Sequence, residues 1–195
     1  MKVCIDIGHA TNTGSTGNGL EEHGIAANIA LSLAGKLREQ GHHVAIIDFP
    51  KMNNDDDLAA TVKAINAGGY DISISLHCDA SDSIAACGAH VCHHRNYHND
   101  GSYTDSRLGK ALAEAIAEPL CKLLPGRADH VQARPDRSCK PNKTSLYVLR
   151  ETIPPAVLVE CGFITNRENA ALMRDNPGII ASAIAQGVKD YNGKQ

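Results

Sequence analysis

His9, Glu22, His77 and Glu160 stand at the ends of hydrophobic runs that read as strands, or at the start of a helix. Open α/β sheets gather their ligand sites at the carboxyl ends of strands, so residues this far apart in sequence can meet there. Two histidines and one carboxylate form a recurring catalytic zinc set that leaves a coordination position for water. Glu160 is then expected to be the base that works on that water. Each residue also has a plainer reading. Glu22 is what the dipole of any helix favours in its first turn, and a histidine at a strand end is often just a hydrogen-bonded loop residue. Glu160 is harder to dismiss. An acid directly after Ala156, Val157, Leu158 and Val159 would cost several kcal/mol if buried unpaired, so it needs a partner or a task.

The elements that must position these residues follow from periodicity. Residues 3–7 are a short β-branched run ending in Gly8 and His9, and a Gly/Thr/Asn-rich loop extends to Gly19. A helix begins at Glu21 or Glu22, with Ile25, Ile29, Leu33 and Leu37 recurring every four positions and Gly41 as its stop. Residues 44–48 read as a strand, and residues 58–67 as a helix ended by Gly68 and Gly69. Ile72, Ile74 and Leu76 alternate with Ser73, Ser75 and His77, the period of a strand with unlike faces. His77 falls on the serine face.

Residues 89–94 form the next expected strand, followed by a helix carrying Leu108, Leu112, Ile116 and Leu120. Pro119 should bend or end that helix, because it lacks the amide proton and collides with the preceding turn. Residues 126–145 are rich in Arg, Lys and Pro and read as a long loop. Residues 146–149 and 156–159 are brief strands, the second delivering Glu160 at its carboxyl end, and helices over 166–175 and 178–191 close the chain. The alternation implies an α/β fold: a single domain with a mainly parallel twisted sheet of about six strands, flanked by helices on both faces.

The chain has 195 residues, 43% of them hydrophobic, enough for one well-buried domain over 1–195. A formal charge of -3 supplies no broad basic surface, which argues against a nucleic-acid partner. No apolar stretch approaches the roughly 20 residues of a membrane-spanning helix, and no charged-then-apolar leader precedes the first strand. The seven cysteines (Cys4, Cys78, Cys87, Cys92, Cys121, Cys139 and Cys161) are odd in number and contain no C-x-x-C pair. They read mainly as reduced thiols in a chain made in the cytoplasm.

Taken in order, the segments Ile5-Asp6-Ile7-Gly8-His9, Glu22 opening a helix, Ser73-Ile74-Ser75-Leu76-His77-Cys78-Asp79-Ala80, Leu146-Tyr147-Val148-Leu149-Arg150, and Pro154 through Glu160 to Asn166 resemble the zinc-dependent N-acetylmuramoyl-L-alanine amidases of the type 3 family. The resemblance spans essentially the whole chain, and these individually weak pieces in order form a specific signal. It implies hydrolysis of the amide between N-acetylmuramic acid and L-alanine in peptidoglycan. It places metal ligands on His9, Glu22 and His77, the catalytic glutamate on Glu160, and Zn²⁺ as the cofactor. Glu21 competes for the ligand role of Glu22. Asp79 stands where relatives commonly carry Asn, and His90 where they often carry an acidic residue. No separate cell-wall-binding domain is visible, which suits an endolysin let through to the wall, or the excised catalytic domain of an exported autolysin.

Other readings compete. Gly14, Gly17 and Gly19 with Asp48 invite a dinucleotide site, but the G-x-x-G-x-G spacing is wrong and His9, His77 and Glu160 would go unused. A phosphate loop lacks its Gly-Lys-Ser/Thr. His90, Cys92, His93, His94 and His98 could form a second metal site, although alternation puts His93 opposite His90 and His94, which favours scattered surface histidines. A zinc peptidase or deacetylase could use the same ligands. A zinc-dependent peptidoglycan-binding module without turnover would have no use for Glu160.

Overall fold

The computed structural model describes residues 1–98, 100–134 and 146–192. The β-branched run near the N-terminus forms β1 (Lys2–Ile7), and the glycine-rich loop after it contains a small hairpin, β2 (Thr16–Gly17) and β3 (Leu20–Glu21). Then come α1 (Glu22–Glu39), β4 (His43–Ile47), α2 (Asn54–Gly68), β5 (Ile72–Asp79) and β6 (His90–Tyr97). The chain continues through β7 (Tyr103–Asp105), α3 (Arg107–Leu123), β8 (Val131–Arg134), α4 (Tyr147–Glu151), β9 (Ala156–Phe163), α5 (Arg167–Asp175) and α6 (Pro177–Asn192).

Seven strands make one mixed sheet in the order β4-β1-β5-β9-β6-β7, with β8 also on β6. The pairs β1–β4, β1–β5, β5–β9 and β6–β8 are parallel, whereas β6 runs antiparallel to β9 and β7. The mainly parallel α/β architecture expected from the sequence is therefore the one observed. One face of the sheet, with Val3, Ile5, Ile72, Ile74, Leu76, Val91, Val157 and Val159, packs on the apolar stripes of α1, α3 and α6. The other carries Cys4, Ile47, Cys92, Ala156 and Leu158 against Ile65 of α2 and Val148 and Leu149 of α4. Ser73 and Ser75 on this second face are as buried as their apolar neighbours, because strands of a sheet covered on both sides have no solvent face. The alternation in β5 thus separates an apolar buried face from a polar one.

Several expectations need correction. Residues 146–149 are not a strand: Leu146 caps the one-turn helix α4, and its carbonyl accepts from the amides of Leu149 and Arg150. So short an apolar run cannot carry a period, and its packing against α2 and β9 decides the conformation. Pro119 does not end α3, which continues to Leu123. There the buried stripe of Leu112, Ile116 and Leu120 outweighs one lost backbone hydrogen bond. Residues 131–134, expected to lie in a loop, form β8, while residues 135–145 lie outside the described residues. β9 runs past Glu160 to Phe163, so Glu160 sits within the strand rather than at its end. Six cysteines are free thiols, and Cys139 lies outside the described residues.

Candidate metal centre and active site

β1 ends at Ile7, and the amide of Gly8 just beyond it donates to the Leu76 carbonyl at 2.9 Å and so ties the β1 exit to β5. A side chain on Gly8 would fall 2.3 Å from the His77 imidazole, so only glycine lets the two strands deliver His9 and His77 side by side. His9 itself adopts φ +61, a left-handed conformation uncommon outside glycine and tolerated where surrounding structure enforces it. The two imidazoles meet edge to face with centroids 5.0 Å apart.

Glu22 arrives from the other direction, as the first residue of α1. It is buried, 2% exposed. Its Oε1 accepts the Cys78 amide at 2.9 Å and lies 3.2 Å from His77 Nδ1 and 3.7 Å from His9 Nε2, while Oε2 accepts the Ser15 amide at 2.7 Å. Burial alone would raise the Glu22 pKa. The hydrogen bond and charge of His77, with the two backbone amides, outweigh it and hold the carboxyl at about 2. His77 moves the opposite way: burial would lower its pKa, but Glu22, Glu160 and Asp6 raise it. Glu21, the competing candidate, is the N-cap of α1. Its carboxylate accepts from the Gly24 and Asn12 amides, both at 3.0 Å, and takes no part in the cluster.

Among the described residues, His9, Glu22 and His77 are the one set of three whose ligand atoms lie mutually within 4.8 Å. Two imidazoles and one anionic carboxylate, with both carboxylate oxygens oriented by backbone amides, fit a divalent cation of zinc chemistry. The histidines of β6 do not converge in this way. His90 and His93 are both buried, not surface residues as expected, and they occupy opposite faces of the sheet. His94 contacts Asn96 and His98 contacts Thr104.

Glu160 lies between its two neighbouring strands, directly opposite His77 of β5 and His90 of β6. His77, Glu160 and His90 therefore form one row across the sheet. Glu160 Oε2 is enclosed and has no hydrogen-bond partner. Burial, reinforced by Asp79 and Glu22 against the opposing pull of His77 and Arg134, lifts its pKa to about 8. A carboxyl lifted in this way, on a side chain that is only partly buried, is a group prepared to exchange a proton.

Beside this row, Asp79 Oδ2 lies 3.3 Å from both Arg127 Nη1 and His90 Nδ1. The His90 contact lacks hydrogen-bond alignment. Burial, with Arg127 and Arg134 nearby, holds His90 near 3 and therefore neutral, so this contact is no ion pair. Asp79 and His90, singled out as departures from the family pattern, are thus neighbours. Arg127 joins them and pairs also with Asp129. Lys140 and Lys143 of the same basic stretch lie outside the described residues.

A cavity of about 250 Å³ adjoins the cluster, with His9, His77 and Glu160 in its wall together with Asp6, Asp57, Thr61 and Ser75. Sequence reasoning missed these four. Asp6 had the same signal as Glu160, an acid inside an apolar strand. Asp57 resembled any first-turn acid of α2. Asp6 accepts from Ser75 Oγ at 2.5 Å, and burial raises its carboxyl to about 6. The glycine-rich loop binds no dinucleotide-like group at the α1 N-terminus, because Glu22 already takes the Ser15 amide and Gly14 packs on its side chain.

Comparison with known proteins adds to this geometry. A family model described as N-acetylmuramoyl-L-alanine amidase (Amidase_3) matches residues 3–190. The N-acetylmuramoyl-L-alanine amidase LytC of Bacillus subtilis is 28% identical over 96% of this chain, which spans 34% of LytC. The endolysin of Bacillus phage SPP1 is 27% identical over 96% of this chain and 65% of its own length. Among solved structures, the catalytic domain of the CD27L endolysin targeting Clostridia difficile superposes with a TM-score of 0.76 at 28% identity, covering 97% of each chain. No helix among the described residues is long and apolar enough to cross a membrane.

Proposed function

The chain belongs to the Amidase_3 family of N-acetylmuramoyl-L-alanine amidases, and from that premise we propose that it hydrolyses the amide joining N-acetylmuramic acid to L-alanine in peptidoglycan. The observation that carries the reading is the convergence of His9, Glu22 and His77 within 4.8 Å directly beside Glu160, which pairs with His77 across β5 and β9. In this reading those three residues hold Zn²⁺, and Glu160 is the catalytic acid and base. A zinc ion there supplies a Lewis acid that polarises the scissile carbonyl and makes water acidic enough to attack at neutral pH.

The remaining work falls to the chain. Glu160, in the wall of the cavity beside the cluster, takes the proton of the attacking water and returns it to the departing alanine amine, so one carboxyl serves both halves of the reaction. Its position in the interior of β9, flanked by strands on both sides, holds it with the precision that proton transfer requires. Glu22, kept anionic by two backbone amides, stays a carboxylate through the cycle. The setting we favour is lysis of the cell wall, in which the enzyme reaches the wall from the cytoplasm as an endolysin does. Similarity to the SPP1 endolysin supports it.

Elemental analysis and one variant test the assignment. The purified protein should carry one zinc per chain. Glu160→Gln should keep that zinc while turnover falls by about two orders of magnitude or more, the range for a positioned general base. Absence of stoichiometric metal, or full activity after exhaustive chelation, would sink it. Loss of zinc from Glu160→Gln would instead make Glu160 a ligand.

A further inference from the structure

The ladder between β6 and β9 stops at the pair that carries Glu160. Its pairs run from His93 with Val157 to His90 with Glu160, and continuing that register by two residues would set Gly88 opposite Gly162. Both are glycines at positive φ, +96 and +130, and β6 begins only at His90. The amides of Ala89 and Val91 donate away from β9, to the carbonyls of Leu124 and His130, so strand alternation aims the amides of Gly88 and His90 towards β9. The Gly88 amide meets Asn169 of α5 instead. Asn169 Oδ1 accepts it at 2.9 Å and also accepts the Phe163 amide at 3.2 Å. Asn169 is 6% exposed, and its side chain lies against Gly162, where an added Cβ would come within 3.3 Å of it. One side-chain oxygen thus takes the place of a ladder pair. The other edge of β9 is irregular at the same level. His77 pairs with Glu160 and Asp79 with Phe163, so Cys78 alone faces both Cys161 and Gly162. Such a bulge bends a strand and re-aims the side chains beside it. Asn169 grips β9 just past the bulge and ties it to the segment entering β6.

We propose that Asn169 is a positioning residue for the amidase reaction: by accepting the Gly88 and Phe163 amides together, its side chain fixes the strand ends on which Glu160 faces His77. The inference rests on the amidase reading, in which Glu160 carries the proton between water and the departing amine. Asn169 lies in neither the cavity wall nor the metal cluster, so it acts through β9 and not on substrate or metal. Proton transfer tolerates little displacement, and a misplacement of about 1 Å costs about a hundredfold in rate. Without the Asn169 oxygen, two buried amides lose their acceptor, and the chain relieves that cost by moving them towards water or another partner. The strands that move are those on either side of Glu160.

Steady-state kinetics of the zinc-loaded protein on a soluble N-acetylmuramoyl-L-alanyl peptide test this, with hydrogen exchange of backbone amides as a second readout. Asn169→Ala should lower kcat by about tenfold or more, with KM within about twofold of the wild type and zinc content unchanged, the pattern of a loss felt in the transition state. Asn169→Asp keeps an acceptor oxygen for both amides and should restore kcat to within about threefold of the wild type. Gly187→Ala, remote from the site where α6 meets α3, supplies a destabilised protein for comparison and should keep its kcat. Asn169→Ala that melts early yet turns over as Gly187→Ala does would make Asn169 a structural residue only and overturn the proposal. Equal loss of kcat in Asn169→Asp and Asn169→Ala also overturns it. Should Asn169→Ala not fold, Asn169→Ser, whose hydroxyl stops a bond short of the two amides, takes its place with the same expectations. In the exchange measurement the His90 amide should exchange about tenfold faster in Asn169→Ala, while that of Ile5 in β1 stays as in the wild type. Unchanged exchange at His90 overturns the proposal with or without turnover. A wild type that cleaves no muramoyl peptide but shows the exchange pattern loses the amidase reading and keeps Asn169 as the anchor of the ladder.

Discussion

Glu160→Gln removes an ionisable group while keeping the shape of the side chain, so its effect on stability should depend on pH in a defined way. In the metal-free protein the Glu160 carboxyl titrates near 8, against 4.5 for the same group in an unfolded chain. From pH 4.5 upwards the unfolded chain loses this proton while the folded one retains it. The folded state therefore binds more protons, and wild-type stability falls as pH rises. At about 1.4 kcal/mol per pH unit the full displacement corresponds to about 5 kcal/mol. Partial water entry and relaxation bring the expected effect to about 2–5 kcal/mol. Glutamine at 160 carries no such linkage. Urea denaturation of both proteins in chelator should show curves separated by a pH-independent offset near pH 4.5. Between there and pH 8 the variant should gain on the wild type by that amount, and zinc should narrow the gap by favouring the ionised carboxylate. A separation that stays constant from pH 5 to pH 8 would refute the argument that Glu160 is an enclosed, uncompensated acid.

Other substitutions test the site and its support. His9→Ala, His77→Ala and Glu22→Ala should each lose zinc as measured by elemental analysis, whereas Glu21→Ala should retain it and lose only about 1 kcal/mol of stability with the α1 cap. Metal retention by Glu22→Ala and loss by Glu21→Ala would reverse the ligand assignment. Gly8→Ala places a methyl 2.3 Å from the His77 ring. It should weaken zinc affinity in a competition titration and cost about 1–3 kcal/mol of stability. Gly187 of α6 lies against the α3 backbone, where an added Cβ would be 2.4 Å from Ile116 Cα and 2.6 Å from the Ala115 carbonyl oxygen. Gly187→Ala should destabilise by about 1–3 kcal/mol or more in urea melts, with little change in zinc content.

The long periodic segments were legible because one physical signal dominated each. The stripe of Ile25, Ile29, Leu33 and Leu37 predicts α1, and these residues are its buried face. The run at 156–159 predicts β9, whose neighbours on both sides bury it. Residues 146–149 were not legible, because a four-residue apolar run fits a strand or a helical turn equally well, and only contact with α2 and β9 chooses. The cost of Pro119 is local and visible in the sequence, while the packing of Leu112, Ile116 and Leu120 that offsets it is tertiary. At the site, the sequence offered His9, Glu22, His77 and Glu160 together, yet it could not separate Glu22 from Glu21. That distinction depends on which carboxylate turns inwards and which caps the helix. Asp57 and Thr61 were illegible for a similar reason: only the placement of α2 over the polar face of the sheet brings them to the cavity wall.

The bond that is cut tests the central claim most directly. Purified sacculi digested with the zinc-loaded protein should release stem peptides bearing a new N-terminal alanine amine, one per cleavage, with no new reducing sugar ends. New reducing ends would make the protein a glycosidase, and cuts within the stem peptide would make it a peptidase. Either result would contradict the amidase reading, even with zinc on His9, Glu22 and His77 and with Glu160 essential.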